Sequence, residues 1–211
     1  MKVVSVNLGE PTPIKWKGKT EYTGIFKAPV KEAIFLQTDS VLGDSIADRR
    51  VHGGIHKACY LYSADHYPFW KSRYPGLVWN PGMFGENLTI EGLDENNLQI
   101  GNRYRLGTAL VEVSMPREPC YKLGIRFGTQ KILKEFIAAG RPGTYVRVLQ
   151  PGKVAAGDGM VLEKASENRL TVADCFRLYY EQPKNRQLLQ LAIDNLALPA
   201  YKREQLRKYL Q

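Results

Sequence analysis

Apolar and polar residues alternate in short segments along the first three quarters of the chain, which is the pattern of half-buried strands. We predict strands at 2–8, 22–30, 33–36, 57–62 and 144–149, and strand pairing within 98–113. Residues 81–90 are predicted to join a glycine-rich turn to a strand, and residues 154–162 to contain a turn at 157–159 and a closing strand. The segment 98–113 is predicted to be a hairpin that turns at Gly101-Asn102. Helical patterns occur at 63–74 and 129–139. Short strands at this spacing indicate a mainly β fold, a β-barrel with a few inserted helices.

The pattern changes near residue 165, after which no strand alternation occurs. Three short helices are predicted at about 171–180, 184–195 and 199–210, with Thr171 and Asn185 as helix starts. We therefore expect two domains, a β domain at 1–164 and a helical unit at 165–211.

Composition limits the class of protein. Of 211 residues, 44% are hydrophobic and 24% charged, as in a folded globular protein, and no apolar run is long enough for a membrane span. The N-terminus lacks the pattern of a signal peptide, and three widely spaced cysteines favour a reducing, cytoplasmic location. A net charge of +9 favours an anionic partner, either a phosphorylated small molecule or a nucleic acid.

Candidate chemistry centres on Cys120, which follows the stiff segment Pro116–Pro119. Arg117 and Lys122 are its neighbours, and nearby cations lower the pKa of a thiol and so favour the nucleophilic, metal-binding thiolate. The competing interpretation is an inert, buried cysteine at a strand end.

Cationic and small polar residues recur in the loops around this segment, where they could hold an anion. Tyr145 and Arg147 alternate on one predicted strand and so face the same side. No dinucleotide or P-loop motif occurs, and the spacing of His52 and His56 does not support a zinc site. From residue chemistry alone, the sequence indicates a basic pocket with one activated thiol. The candidate pocket residues are Lys19, Thr23, Lys27, Arg49, His52, Lys57, Asn87, Thr89, Arg117, Tyr145 and Arg147.

Several segments, taken together and in order, resemble the MOSC family, named for the C-terminal domain of molybdenum cofactor sulfurase. They are TGIFKAPV, DRRVHGGIHKACYLYSADHYPFW, MFGENLTIEGL, IGNRYRLGTALVEVSMPREPCYKL and TYVRVLQPGKVAAGD. Within the family the sequence is most similar to the YiiM-like proteins, whose C-terminal three-helix domain the last residues also resemble.

The resemblance implies a β-barrel that holds molybdenum cofactor, a molybdenum-bearing pterin dithiolene (molybdopterin) that ends in a phosphate. It implies that Cys120 is the protein ligand to molybdenum, and that Arg117 helps to keep its sulfur ionised. Lys19, Lys27, Arg49 and Lys57 become candidates for the phosphate and the pterin. Hydrogen bonds to the pterin are expected from Asn87, Thr89 and Tyr145, and His52 is expected either to join them or to assist catalysis. Thr23 and Arg147 are further candidates for binding the cofactor.

The activity implied by the resemblance is a molybdenum-dependent, pyridoxal phosphate-independent reduction of N-hydroxylated compounds such as 6-N-hydroxylaminopurine. Because the sequence has no flavin, haem or iron–sulfur motif, electrons are expected from a separate flavin-type reductase. The alternative is a carrier of the cofactor or of sulfur that has no turnover. Nucleic-acid binding by the C-terminal helices is disfavoured, since their apolar spacing indicates packing against a core or, in a homodimer, against a second subunit.

Overall fold

A computed structural model describes residues 1–45 and 53–210 of the chain. The first seven strands lie in the N-terminal half of the chain, where short β segments follow one another. They are β1 Lys2–Leu8, β2 Thr12–Trp16, β3 Lys19–Thr23, β4 Ala28–Pro29, β5 Ile34–Leu36, β6 Cys59–Ser63 and β7 Leu88–Glu91. The later strands are β8 Arg103–Leu106, β9 Ala109–Pro116, β10 Thr144–Gln150, β11 Gly152–Val154 and β12 Met160–Lys164.

Within the described residues there are six α-helices and two short 3-10 helices, Ile55–Lys57 and Ala64–His66. Three α-helices are inserted between strands and three follow the last strand. They are α1 Tyr67–Arg73, α2 Tyr121–Arg126, α3 Lys131–Ala139, α4 Val172–Tyr180, α5 Arg186–Asp194 and α6 Ala200–Arg207. No helix in residues 1–45 or 53–210 is long and apolar enough to cross a membrane.

The main sheet has eight strands in the order β12-β8-β9-β10-β6-β7-β1-β4, and all pairs are antiparallel except β6 with β7. The closed barrel predicted from the sequence is not confirmed. Among the described residues, β1 and the start of β12 meet through one bridge, Lys2 with Gly159, and a few backbone hydrogen bonds, such as Val3 N to Asp158 O at 2.9 Å. These contacts bring the two regions together without a continuous ladder, so the fold is a mixed α/β structure around a large sheet.

Two predictions of local structure are wrong. Gly101-Asn102 is not the turn of the hairpin, because β8 starts after it and turns into β9 at Gly107-Thr108. The segment 22–30 is not one strand, since β3 ends at Thr23 and pairs with β2 in a separate hairpin that was not predicted. Gly24 explains the break after β3: a Cβ there would lie 1.9 Å from the Ser45 carbonyl oxygen, so the two loops pass in direct contact.

The predicted C-terminal helices are confirmed together with their starts. The Thr171 side chain accepts a hydrogen bond from Asp174 N at 3.0 Å, and Asn185 accepts one from Leu188 N at 3.1 Å, the geometry of N-caps. Val172, at the start of α4, is buried in the same apolar core as the side chains on the inner face of the sheet. A second, aromatic core lies under α1 and α3, and both cores border the candidate site described next.

Candidate functional site

A cavity of about 100 Å³ opens where six segments of the chain meet: the end of β3, the loop at Asp44-Ser45, the start of β6, the turn before β7, the segment from β9 into α2, and β10. Its wall combines backbone at glycines with cationic, phenolic and thiol side chains. The lining residues are Thr23, Gly24, Ile25, Lys27, Asp44, Ser45, Lys57, Ala58, Tyr60, Gly85, Asn87, Arg117, Glu118, Cys120, Lys122 and Tyr145.

Cys120 is the cysteine with access to this cavity. It occupies the N-cap position of α2 in an extended conformation and is partly exposed, whereas Cys59 and Cys175 are buried. Burial raises the pKa of Cys175 to about 12 and raises that of Cys59 further, so both remain thiols at neutral pH. The alternative that Cys120 is a buried cysteine is therefore wrong, because Cys120 is partly exposed and lines the cavity.

The β2–β3 hairpin supports the segment that carries Cys120. The Trp16 ring stacks on Tyr121, with centroids 4.7 Å apart and an interplanar angle of 21°. The Tyr121 hydroxyl also donates a hydrogen bond to the Glu21 carboxylate. These two contacts attach the first turn of α2 to the hairpin, which restricts the position of Cys120.

Arg117 is buried beside Cys120 and is held from three sides. It donates a hydrogen bond to the Phe84 carbonyl oxygen, and its guanidinium carbon lies 5.0 Å from the Tyr60 ring centroid and 5.8 Å from that of Phe136. Burial by itself lowers the pKa of Arg117, but the Tyr60 and Tyr145 oxygens and the Cys120 sulfur raise it by more, so the net shift is upward. A fixed, permanent positive charge therefore lies next to the thiol.

The turn before β7 presents the Phe84 carbonyl oxygen because a buried carboxylate organises it. Glu86 Oε1 accepts hydrogen bonds from Gly82 N at 2.8 Å and Thr89 Oγ1 at 2.9 Å, and also from the Tyr67 hydroxyl. Glu86 Oε2 accepts one from Phe84 N at 3.0 Å. Burial raises the Glu86 pKa, and the hydrogen bonds that it accepts oppose this shift.

Lys27 and Asn87 line the cavity but are already paired with protein groups. Lys27 forms a buried ion pair with Asp44, whose Oδ1 also accepts a hydrogen bond from Gly9 N at 2.9 Å. Asn87 donates to Asp44 Oδ2 at 2.9 Å and accepts from Tyr60 N at 3.2 Å. This network shapes the wall of the cavity and balances the Lys27 charge locally.

The remaining polar wall consists of Lys57, Lys122 and Tyr145. Lys57 ends the 3-10 helix Ile55–Lys57, and its ammonium nitrogen lies 6.0 Å from the Tyr145 ring centroid. Burial lowers the Lys57 pKa; the Glu118 carboxylate opposes this shift, and the Lys202 ammonium group adds to it. Burial raises the Tyr145 pKa to about 12, so this phenol keeps its proton at neutral pH and can donate a hydrogen bond into the cavity.

The structure brings seven of the predicted site residues to the cavity and places three elsewhere. Those at the cavity are Thr23, Lys27, Lys57, Asn87, Arg117, Cys120 and Tyr145. Lys19 is exposed where the β2–β3 hairpin turns, opposite Trp16. Thr89 is buried against Glu86, and Arg147 forms an ion pair with Glu112 at 2.7 Å. The predicted roles of Arg49 and His52 concern positions that lie outside the described residues.

Four lining residues with polar side chains were not predicted from the sequence: Asp44, Ser45, Tyr60 and Glu118. Asp44 follows a glycine in a polar loop, and Tyr60 lies in a strand that is buried on both faces, so no local pattern marked either residue. Glu118 lies between Arg117 and Cys120, and its charge, opposite to that of the neighbouring cations, is the sequence feature that marks it.

The charges of the cavity, in the part of the chain that the structure describes, define its class. Four cations and two carboxylates line it, and both carboxylates are ion-paired, Asp44 with Lys27 and Glu118 with Lys202. Among the described residues no group of three or more His, Cys, Asp or Glu could hold a metal ion alone. The site is thus a cationic cavity with one accessible thiol, and cationic cavities favour anionic ligands.

Comparison with protein families matches residues 48–161 to the MOSC domain. The chain belongs to the MOSC family and is YiiM-like within it. "Uncharacterized protein YflK" of Bacillus subtilis is 39% identical over 196 residues, which are 93% of this chain and 88% of the relative. "Protein YiiM" of Escherichia coli is 37% identical over 136 residues, which are 64% of this chain and 61% of the relative.

A longer relative and a solved structure extend the comparison. A Gibberella moniliformis protein named "Reductase" is 38% identical over 143 residues, which are 66% of this chain but 25% of that protein. The crystal structure of YiiM from Geobacillus stearothermophilus aligns with a TM-score of 0.83 at 32% identity and covers 100% of this chain and 99% of the other. The likeness to that structure therefore includes the C-terminal helices.

Proposed function

We propose that this protein binds molybdenum cofactor in the Cys120 cavity and reduces N-hydroxylated compounds to the corresponding amines. The observation that carries the proposal is the placement of the accessible cysteine. Cys120 lines the same cavity as Arg117, Lys57 and Lys122, so a sulfur ligand and three cations face one volume.

The residues present fit this cofactor. A thiolate is a soft ligand that suits a metal already bound by dithiolene sulfurs. Lys57, Lys122 and the buried Arg117 supply charge for an anionic phosphate, and Arg117 also provides a planar donor group. We assign a smaller part in cofactor binding to Lys27, Thr23 and Asn87 than the sequence suggested. The polar atoms of these side chains already have protein partners.

The named relatives support an oxidoreductase. One is named for reductase activity, and the matching region is a quarter of its length, as expected if this domain works together with other modules. We therefore propose that a separate flavin-type reductase supplies electrons to this chain. The class of compound that is reduced follows from the resemblance to YiiM-like proteins.

The reaction breaks one N–O bond: R–NHOH, two electrons and two protons give R–NH₂ and water. When bound, the cofactor supplies the two-electron chemistry and the site for the departing oxygen. The protein residues orient the substrate and shield the reaction from water. The Arg117 guanidinium keeps positive charge beside Cys120 Sγ, and the Tyr145 hydroxyl retains a proton that it can share with a substrate oxygen or nitrogen.

Replacement of Cys120 by alanine tests the proposal. After expression in a host that makes the cofactor, we expect the wild-type chain to contain molybdenum and pterin and to reduce an N-hydroxylamine with an artificial electron donor. Cys120→Ala should lose activity at least about 100-fold while its melting temperature stays unchanged, because the side chain makes no core contact. Cys175→Ala is the matched control, since it removes a buried cysteine outside the cavity. Full activity of Cys120→Ala would refute the assignment.

The second candidate function is a carrier of the cofactor or of sulfur, since one accessible thiol in a cationic cavity also suits a persulfide or an anchor. The same experiment separates the two functions. Stoichiometric molybdenum and pterin without turnover by any N-hydroxylamine would favour the carrier, and a persulfide mass on Cys120 would identify sulfur transfer.

A further inference from the structure

The C-terminal helices contact the segment that carries the thiol. Lys202 of α6 forms an ion pair with Glu118, with 2.5 Å between Nζ and Oε1. Glu118 lines the cavity two residues before Cys120, so this pair links the helical unit directly to the wall of the site.

Lys202 is itself held in place. It is 8% exposed, and its ammonium nitrogen lies 4.4 Å from the Tyr179 ring centroid, over α4. The neighbouring Tyr201 hydroxyl lies 3.7 Å from the sulfur of Met115, near the end of β9. Because α6 contacts both α4 and β9, the ammonium group approaches Glu118 from a fixed direction.

The pair changes the electrostatic balance at the thiol. Without Lys202, the Glu118 carboxylate would be an uncompensated negative charge on the wall, close enough to interact with Lys57. It would then oppose the attraction of Arg117, Lys57 and Lys122 for an anion and compete for the Lys57 ammonium group. Asp44, the other lining carboxylate, is compensated by Lys27 from within the cavity, so Glu118 is the one compensated by the C-terminal unit.

We propose that Lys202 is a positioning residue of the site: it pairs with Glu118, so that the three cations around Cys120 dominate the potential of the cavity. The helices after residue 165 thereby complete the site, in addition to packing against the sheet. For the identity of the anionic ligand this inference rests on the proposed function, but its test does not require the cofactor.

The test measures the potential at Cys120 in the full chain with two alkylating reagents of similar size, neutral iodoacetamide and anionic iodoacetate. Peptide mass spectrometry gives the rate of modification at Cys120 with each reagent. The ratio of the iodoacetate rate to the iodoacetamide rate cancels changes in thiol ionisation and exposure and reports the local charge. For Lys202→Met we expect this ratio to fall about two- to four-fold, and to recover when Glu118→Gln is added.

Controls separate charge pairing from general packing. Lys202→Arg should keep the wild-type ratio, and so should Lys153→Met, which neutralises an exposed lysine of β11. If Lys202→Met does not fold, Glu118→Gln alone is expected to raise the ratio, because Lys202 then acts without its partner. An unchanged ratio in Lys202→Met, or no recovery in the double variant, would overturn the inference.

The two proposals can fail separately. The expected ratios in a chain that never contains molybdenum or pterin would refute the proposed function and leave the role of Lys202 intact. Conversely, a molybdenum-loaded, active chain in which Lys202→Met leaves the ratio unchanged would refute the positioning role alone.

Discussion

Replacing Glu86 by glutamine tests whether the buried carboxylate organises the turn that faces Arg117. Its two oxygens accept hydrogen bonds from four donors, and two of these are the backbone N–H groups of Gly82 and Phe84. These backbone groups point at different oxygens. A glutamine amide has one oxygen and one NH₂ group, so in either orientation one backbone N–H faces another donor.

The magnitude follows from that single lost acceptor. A buried N–H without a partner costs about 1–3 kcal/mol. For a chain of this length, such a loss lowers the melting temperature by about 2–12 °C. We expect a penalty of this size at pH 5, measured by urea unfolding with tryptophan fluorescence. Glu91→Gln, at an exposed position of β7, is the control and should change the stability by less than about 0.5 kcal/mol.

The pH dependence of the penalty has a defined sign. Burial raises the Glu86 pKa above 4.5, so the folded chain binds this proton more tightly than the unfolded chain does. The contribution of Glu86 to stability therefore falls as the pH rises from about 4.5 through the raised pKa, and the glutamine variant has no such dependence. We expect the stability difference between wild type and variant to shrink from pH 5 to pH 8. A difference that widens over this range would refute the reasoning.

Two further predictions concern the walls around the site. Asp44→Asn leaves Lys27 as an uncompensated buried charge and should cost about 3–5 kcal/mol in urea unfolding. Adding Lys27→Met should recover part of that loss, and no recovery would contradict the ion-pair account. Phe136→Ala opens a cavity in the aromatic core beneath Arg117 and should cost about 3–5 kcal/mol by the same measurement. A cost below about 1 kcal/mol would show that the guanidinium and its aromatic neighbours are not tightly packed.

Local sequence patterns predicted the helix ends, because the stability of a helix end depends on residues that are close in sequence. The N-caps Thr171 and Asn185 lie where the sequence placed them. Gly140, in a left-handed conformation, ends α3 directly after the predicted segment 129–139. The hairpin turn at Gly101-Asn102 was wrong because a glycine followed by asparagine suits several kinds of turn, and the pairing of β8 with β9 selected another. Helix α2 was missed because it spans only six residues directly after a proline-rich segment.

The sequence by itself determined the mainly β order of the first 164 residues, the helical end and Cys120 as the residue of interest, because these depend on short-range pattern and residue type. Only the tertiary structure decided which cations reach that thiol. Arg117, Lys57 and Lys122 converge on it, whereas Lys19 stays in solvent. The sequence shows that a residue is charged but not where its side chain points. A lysine takes part in a site only when the fold places a carboxylate, an aromatic ring or a cavity next to its ammonium group. The pairing of Lys202 with Glu118, 84 positions apart, is of this kind.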